Sequence, residues 1–168
     1  MIGRTPAPSP PAGRAGLRRA GWYVAGVVVC GVLAMPVQAA DRGEVRIGDR
    51  VVVTVEVART DAEKVRGLSG RDRLAPAEGM LFVYETPVQP VMWMQGMHFS
   101  IDILWIRDAR VVDLVQKAKP PALGEAPQVF APREKAQYVL EVPAGFAGRY
   151  GIARNDPVEI RLGERRGP

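Results

Sequence analysis

The chain has 168 residues, which is enough for one domain with a buried core but short for several domains of ordinary size. Its net charge of +5 would favour a polyanion-binding protein, but the excess is confined to the N-terminus. Residues 1–39 hold 4 of the 23 basic residues and no acid, which leaves 19 basic against 18 acidic residues. A balance of about +1 over residues 40–168 gives no basis for nucleic-acid binding.

The N-terminus is organised like a secretory signal peptide. Residues 1–20 are rich in Pro, Gly and Arg, and residues 21–35 are apolar and uncharged. Val37 and Ala39 then place small residues before a cleavage point at Ala40. The apolar stretch is short for a membrane span, which needs about 20 residues, although an uncleaved anchor is the alternative.

We therefore predict a signal peptide over residues 1–39 and a single globular domain over residues 40–168, with its core at residues 45–162. The predicted location is the periplasm or the medium, with membrane contact only through the leader. The single cysteine, Cys30, lies in this leader. Once the leader is removed, the domain has no disulfide, thiolate metal site or cysteine nucleophile.

Downstream of the leader, the predicted elements are mainly strands. Residues 41–48 are expected to be a polar lead-in. Alternating or β-branched apolar runs predict strands at residues 50–57, 80–84, 99–106, 111–115, 137–142 and 158–162. Short helices are predicted after Thr60 or Asp61 and from Pro143 onwards. The expected fold class is α+β: about five to seven short, mostly antiparallel strands in a half-open barrel, with two short helices.

The densest apolar run of the domain, residues 90–106, carries its most unusual side chains. It contains the only histidine, His98, close to a tryptophan and three methionines: Met92, Trp93, Met94 and Met97. The strand that follows looks buried on both faces and has Asp102 in its middle. An ionised carboxylate is costly there unless hydrogen-bond donors surround it.

Four blocks of the sequence, in order, resemble one known family. VRGLSGR (65–71) is similar to its RGL-x-x-R signature, and EGMLFVY (78–84) is similar to its EGMLF strand. WMQGMHFSIDILWI (93–106) is similar to its WM-(K/R)-N-T-x-x-x-LD-(I/M) segment, and YVLEVPAGFAGRYGI (138–152) to its YVLE-x-x-AG-x-x-x-x-x-GI block. The chain thus resembles the domain of unknown function 192 family. The resemblance implies a compact, mainly β domain, often exported, and it implies no activity.

Asp102 has two interpretations. As a structural acid it would accept backbone N–H groups of the 95–99 turn or pair with Arg66 or Arg71. As a general base or binding carboxylate it would need a solvent-open cleft and a second acid, Glu78 or Glu141. The spacing of these acids does not show that they converge.

The methionines and His98 also have two interpretations. Thioethers with an imidazole suit Cu(I), so Met92, Met94, Met97 and His98 form a candidate copper site. Methionine and tryptophan equally fill irregular cores without a metal, and this second interpretation is preferred. Residues 95–98 depart from the Lys-Asn-Thr-like sequence usual in the family, so the resemblance implies no role for His98.

The remaining candidates are charged or aromatic residues. Arg66, Arg71 and Arg73 could bind an anion, although solvated charge around a turn is the simpler interpretation. Tyr138, Glu141, Phe146 and Tyr150 are assigned to packing and surface. No nucleophile-elbow motif surrounds a serine, which argues against a serine hydrolase.

These observations favour a non-enzymatic binding or accessory module of the cell envelope, without a cofactor. Its partner would be a small molecule or an envelope component, held in a groove between residues 93–98, 117–132 and 66–73. The ligand-binding candidates are Arg66, Arg71, Trp93, Met94, His98 and Asp102. The alternatives are a small hydrolase or carbohydrate-acting enzyme that uses Asp102, and a copper-handling protein.

Overall fold

Nine strands and two short helices make up residues 41–163, the part of the chain that this computed structural model describes. The strands are β1 (Arg42–Ile47), β2 (Val51–Ala58), β3 (Glu78–Val88), β4 (Met92–Trp93), β5 (Ile101–Arg107), β6 (Arg110–Ala118), β7 (Val129–Phe130), β8 (Ala136–Pro143) and β9 (Val158–Leu162). The helices are α1 (Asp61–Arg66) and α2 (Phe146–Arg149). The predicted signal peptide lies outside the described residues. Within those residues, neither helix has the length or apolarity to cross a membrane.

Seven of these strands form one curled sheet in the order β6-β5-β8-β3-β2-β1-β9. All neighbours are antiparallel except β2 and β3, which are parallel and are connected through α1. The two edge strands meet at one end, where Arg110 and Pro157 form an antiparallel bridge. The N–H of Val111 donates to the carbonyl of Asp156 at 3.0 Å beside it. The predicted mainly antiparallel, half-open barrel with two short helices is confirmed.

Local sequence signals account for the turns that shape this sheet. Thr60 caps α1 through its hydroxyl, which accepts the Glu63 N–H at 3.2 Å, and the Glu63 carboxylate accepts the Thr60 N–H at 2.8 Å. Between β5 and β6, Asp108 and Ala109 have φ of 50° and 56°. Two consecutive positive φ values give the tight turn whose twist suits a hairpin. The helix therefore begins where it was predicted, and the tight turn connects the strands predicted at residues 99–106 and 111–115.

The prediction of a polar lead-in at residues 41–48 is wrong, because most of this segment forms β1. Its two apolar side chains, Val45 and Ile47, are fully buried, and they alternate with exposed Glu44 and Arg46. This short alternation is enough for a strand here because β1 pairs with β2 on one side and β9 on the other.

Both faces of the central strands are buried, as expected for the 99–106 run. One face forms a first cluster with α2 and the outer strands: Val45, Ile47, Val53, Val55, Val57, Leu81, Leu104, Ile106, Val111, Leu140, Val142, Phe146, Ala147, Ile152 and Val158. The other face forms a second cluster beneath the loops that follow α1 and β4: Ala58, Leu68, Met80, Phe82, Met92, Met94, Met97, Ile101, Ile103, Trp105, Ala118, Ala136 and Val139. Along the central strands β3, β5 and β8, side chains alternate between these clusters.

Candidate functional site

Asp102 is completely buried in β5, on the face of the first cluster. Its Oδ1 accepts the backbone N–H groups of Lys117 at 2.8 Å and Gly145 at 3.0 Å. Its Oδ2 accepts the N–H of Ala147 at 2.8 Å. The carboxylate therefore joins β5 to the end of β6 and to the start of α2, and backbone donors meet both oxygens.

The irregular end of the β5–β6 hairpin explains why the Lys117 N–H is available to Asp102. The register of the pair shifts between Ile101 and Ile103, and Lys117 has a φ of 55°. Such a bulge leaves a backbone N–H without a partner in the ladder. The Asp102 carboxylate accepts this N–H and so stabilises a conformation that a lysine seldom adopts.

The donors to Asp102 are not those expected from the sequence. The 95–99 turn does not reach it, and Arg71 instead forms a double hydrogen bond with Glu56, at 2.7 and 2.6 Å. Catalysis at Asp102 required an open cleft and a second acid. Asp102 is sealed from solvent, so the structure does not meet that requirement. Its contacts agree with the structural interpretation.

Glu141 is the second buried acid of the described residues, and its surroundings are the opposite of those of Asp102. On β8 it lies between Met80 of β3 and Ile103 of β5, both members of the second cluster. Its side chain has no hydrogen bond or ion pair with any residue in the described range, and it is only 4% exposed. Burial raises the pKa of the Glu141 carboxyl to about 8, so the group is mainly protonated at neutral pH.

A cavity of about 160 Å³ lies over Glu141. Its wall is mostly apolar or aromatic, with cationic side chains from α1; the lining residues are Lys64, Val65, Arg66, Gly67, Leu68, Ser69, Phe82, Tyr84, Val91, Met92, Trp93, Met97 and Glu141. No fully enclosed polar side-chain atom within residues 41–163 lacks a partner. The unpartnered oxygens of Glu141 therefore keep contact with the accessible space of the cavity.

Two turns close over this cavity and are hydrogen-bonded to each other. The Ser69 hydroxyl donates to the Gln95 carbonyl at 2.7 Å, and the Gly70 N–H donates to the Gly96 carbonyl at 2.9 Å. The ion pair between Arg71 and Glu56 then ties the first turn to β2. Sequence reasoning placed the groove between these same two turns. The 117–132 segment, however, contributes no lining residue to this cavity. It contacts the second turn from the side, where β7 pairs with β4 and the Gln128 carbonyl accepts the Met94 N–H at 3.1 Å.

The mouth of the cavity combines exposed apolar side chains with positive charge. Trp93 is 51% exposed, and Val65 and Val91 beside it are also exposed. The Lys64 ammonium lies over the Tyr84 ring, 4.6 Å from its centre. Burial first, and then the neighbouring acids, raises the pKa of the Tyr84 phenol, so it is a neutral hydrogen-bond donor.

The candidate copper ligands differ in their surroundings. Met92, Met94 and Met97 are buried in the second cluster, whereas His98 is exposed and its Nδ1 lies 3.6 Å from the Asp72 carboxylate. Alternation in this segment puts Met92 and Met94 inward and Trp93 outward. In the described part of the chain, no three His, Cys, Asp or Glu side chains converge as metal ligands.

The structure thus brings some candidates together and separates others. Arg66 and Trp93 line the Glu141 cavity, and Met94 lies in the second cluster of the core. Arg71 does not line the cavity, but its bond to Glu56 fixes the turn that follows α1. Asp102 lies on the other face of the sheet. Glu141 was considered as a second acid for Asp102 and otherwise assigned to packing and surface, so sequence reasoning did not place it at this cavity. Its signal was an acid inside an apolar strand that is flanked on both sides by buried positions.

Comparison with known proteins shows the family of this chain. The family model of domain of unknown function 192, described as "Uncharacterized ACR", matches residues 43–160. The chain belongs to this family. The match confirms the resemblance given by the four sequence blocks, and the 192 family is defined without an activity.

Two solved structures are similar to this member of the 192 family. One, crystallised as a candidate transcription regulator from Sinorhizobium meliloti 1021, is 31% identical, with a TM-score of 0.64 over 73% of this chain and 95% of that one. The other, a protein of unknown function from Novosphingobium aromaticivorans DSM 12444, is 32% identical, with a TM-score of 0.65 over 74% of this chain and 89% of that one. No curated protein matches the chain.

Proposed function

We propose that this member of the 192 family is a non-enzymatic module that binds a small molecule in the Glu141 cavity. One observation carries the proposal: the Glu141 carboxyl is buried at the base of a cavity, and no group of residues 41–163 forms a hydrogen bond with it. Buried polar groups are nearly always hydrogen-bonded, and an unsatisfied one costs about 1–3 kcal/mol. A ligand that supplies the missing hydrogen bonds would remove this cost.

The rest of the cavity supports binding rather than catalysis. Its lining is mainly apolar with few polar groups, as in small-molecule sites generally. Among the described residues the other buried acid is Asp102. It lies on the opposite face of the sheet, so it cannot act with Glu141 as an acid–base pair. Trp93 stands exposed at the mouth, where an aromatic side chain can cover a bound molecule.

A fragment screen on the full chain tests this proposal. Compounds of about ten non-hydrogen atoms or fewer suit a cavity of this size. We expect saturable NMR shift changes at Leu68, Phe82 and Glu141, with the fragment recovered unchanged. Trp93→Ala should weaken binding about fivefold, as loss of one aromatic contact does. Leu123→Ala, a change at an exposed apolar residue outside the cavity, is the matched control.

Three results of the screen would contradict the proposal. The first is no saturable binding by any fragment. The second is shift changes that lie away from the cavity. The third is chemical conversion of a bound fragment, which would show an enzyme.

Export of the domain to the cell envelope is the second part of the proposal. The order of basic, apolar and small residues over residues 1–39 supports it. Cell fractionation and N-terminal sequencing test it, and we expect a mature chain that begins at Ala40. A full-length chain retained in the cytosol would refute export. The balanced charge of residues 40–168, about +1, argues against extending a role in transcription regulation from the Sinorhizobium protein to this chain.

A further inference from the structure

The chemical groups around Glu141 narrow the class of ligand. The ligand's polar group, here called its head, would reach Glu141 at a site with few other polar groups. Its hydrogen-bond donors and acceptors must therefore match those of Glu141 and the neighbouring side chains. Three heads can be compared on that basis: an ammonium, a carboxylate and a neutral group that both donates and accepts. This comparison rests on the proposed binding function.

An ammonium head fits the site poorly. It would have to pass the cationic Lys64 and Arg66 at the wall of the cavity. Its several N–H donors would then find few acceptors, because apart from Glu141 the lining is apolar, cationic or weakly polar. The aromatic face of Tyr84 is already covered by the Lys64 ammonium, 4.6 Å away.

A carboxylate head also fits poorly at the depth of Glu141. Burial raises the pKa of the Glu141 carboxyl, and no ion pair joins this carboxyl to a cation of residues 41–163. A second negative group would meet the same cost of burial. Lys64 and Arg66 can attract an anion only toward the mouth of the cavity.

A neutral planar amide matches the protonated acid. An undissociated carboxyl offers one O–H donor and one carbonyl acceptor side by side. A carboxamide offers an N–H donor and a carbonyl acceptor in the complementary order, so the two groups can form a pair of hydrogen bonds. The Tyr84 phenol, also in the lining, is a further donor near the acid.

The volume of the cavity sets the size of the ligand body. At about 160 Å³ it is close to apolar cavities of about 150 Å³ that hold one benzene molecule. We infer that the ligand is a small neutral carboxamide with an aromatic or branched aliphatic body, whose amide pairs with the protonated carboxyl of Glu141.

Four probes of nearly equal size test this inference by calorimetric or NMR titration of the full chain. Benzamide carries the inferred head, benzoate and benzylamine carry the charged alternatives, and toluene carries no polar group. We expect benzamide to bind tightest at pH 6. Its affinity should fall about tenfold by pH 9, because only about a tenth of the Glu141 carboxyl is then protonated.

Two variants separate the amide pairing from simple filling of the cavity. Glu141→Gln keeps a neutral donor and acceptor at every pH, so it should bind benzamide with the same affinity at pH 6 and pH 9. Glu141→Leu places an apolar side chain of similar size there, without a hydrogen-bond donor or acceptor. This variant should bind benzamide no more tightly than it binds toluene.

Several results would overturn the inference while leaving the proposed binding function in place. Benzylamine binding that tightens with rising pH would show a cationic ligand. Preferred binding of benzoate would show an anionic one. Toluene binding as tight as benzamide binding, or a wild-type benzamide affinity independent of pH, would show that Glu141 does not recognise the head. Failure of all four probes would also overturn it, and the fragment screen would then judge the binding function separately.

Discussion

Replacing Glu141 by glutamine should stabilise the protein, and the gain should grow with pH. In the unfolded chain the carboxyl titrates near 4.5, whereas in the folded protein burial raises its pKa to about 8. Between these values the unfolded state releases the proton and the folded state keeps it. The free energy of unfolding therefore falls as the pH rises through this window, by about 1.4 kcal/mol per pH unit.

The magnitude is large for a single side chain. Below pH 4.5 both states are protonated and the group adds no penalty; above about pH 8 the full penalty of about 5 kcal/mol is reached. At pH 7 it is about 3 kcal/mol. Small proteins are stable by about 5–15 kcal/mol, so an effect of this size is readily measured.

Urea unfolding of the wild type and of Glu141→Gln, at half-unit steps from pH 4 to pH 9, is the assay. Subtracting the two curves cancels the titration of every other group. We expect a difference near zero at pH 4 that rises steadily and levels off near pH 8. A difference that stays flat across the window would mean that Glu141 ionises like a surface carboxyl, and the reasoning from burial would be wrong.

Two further substitutions test the framework around the site. Asp102→Asn should lower the free energy of unfolding by about 3 kcal/mol, because an NH₂ group would face backbone donors that now bond to a carboxylate. The control Asp49→Asn, at an exposed turn, should change the free energy of unfolding by less than about 0.5 kcal/mol. Equal losses in the two variants would contradict a structural role for Asp102. Gly79→Ala should destabilise by about 2 kcal/mol or more in the same assay, because an added Cβ would lie 2.7 Å from the backbone carbonyl of Glu141. In the control Gly148→Ala, the added Cβ would meet only a side-chain oxygen at 3.5 Å, so this change should not destabilise the protein. Equal stability of the two glycine variants would contradict the close contact between position 79 and the Glu141 carbonyl.

Elements that depend on nearby residues could be predicted from the sequence. The capping box at Thr60 and Glu63, the turn at Asp108 and the alternating strands each arise from residues a few positions apart. The β1 strand was missed because its two buried residues give a short signal, which becomes decisive only when β2 and β9 pair with it.

The candidate site was harder to predict, because its contacts join distant parts of the chain. The segment with Trp93 and the arginine-containing turn after α1 were chosen correctly as neighbours, since both stood out by composition. Glu141 lies 48 residues after Trp93 and 70 residues after Arg71, and it has an ordinary position in a strand. Only the pairing of β8 between β3 and β5 shows that this acid is buried and faces the same cavity.

The two buried acids differ in their surroundings, which is why we propose a binding site at the cavity rather than at the conspicuous aspartate. Asp102 and Glu141 lie on paired strands, one register position apart, and so point to opposite faces of the sheet. Asp102 has three backbone donors, which remove the cost of burying its charge. Glu141 has none, and an apolar side chain at its position would be more stable. The proposed binding function gives this costly acid a role, because the donor and acceptor of a ligand would restore the hydrogen bonds that the fold does not supply.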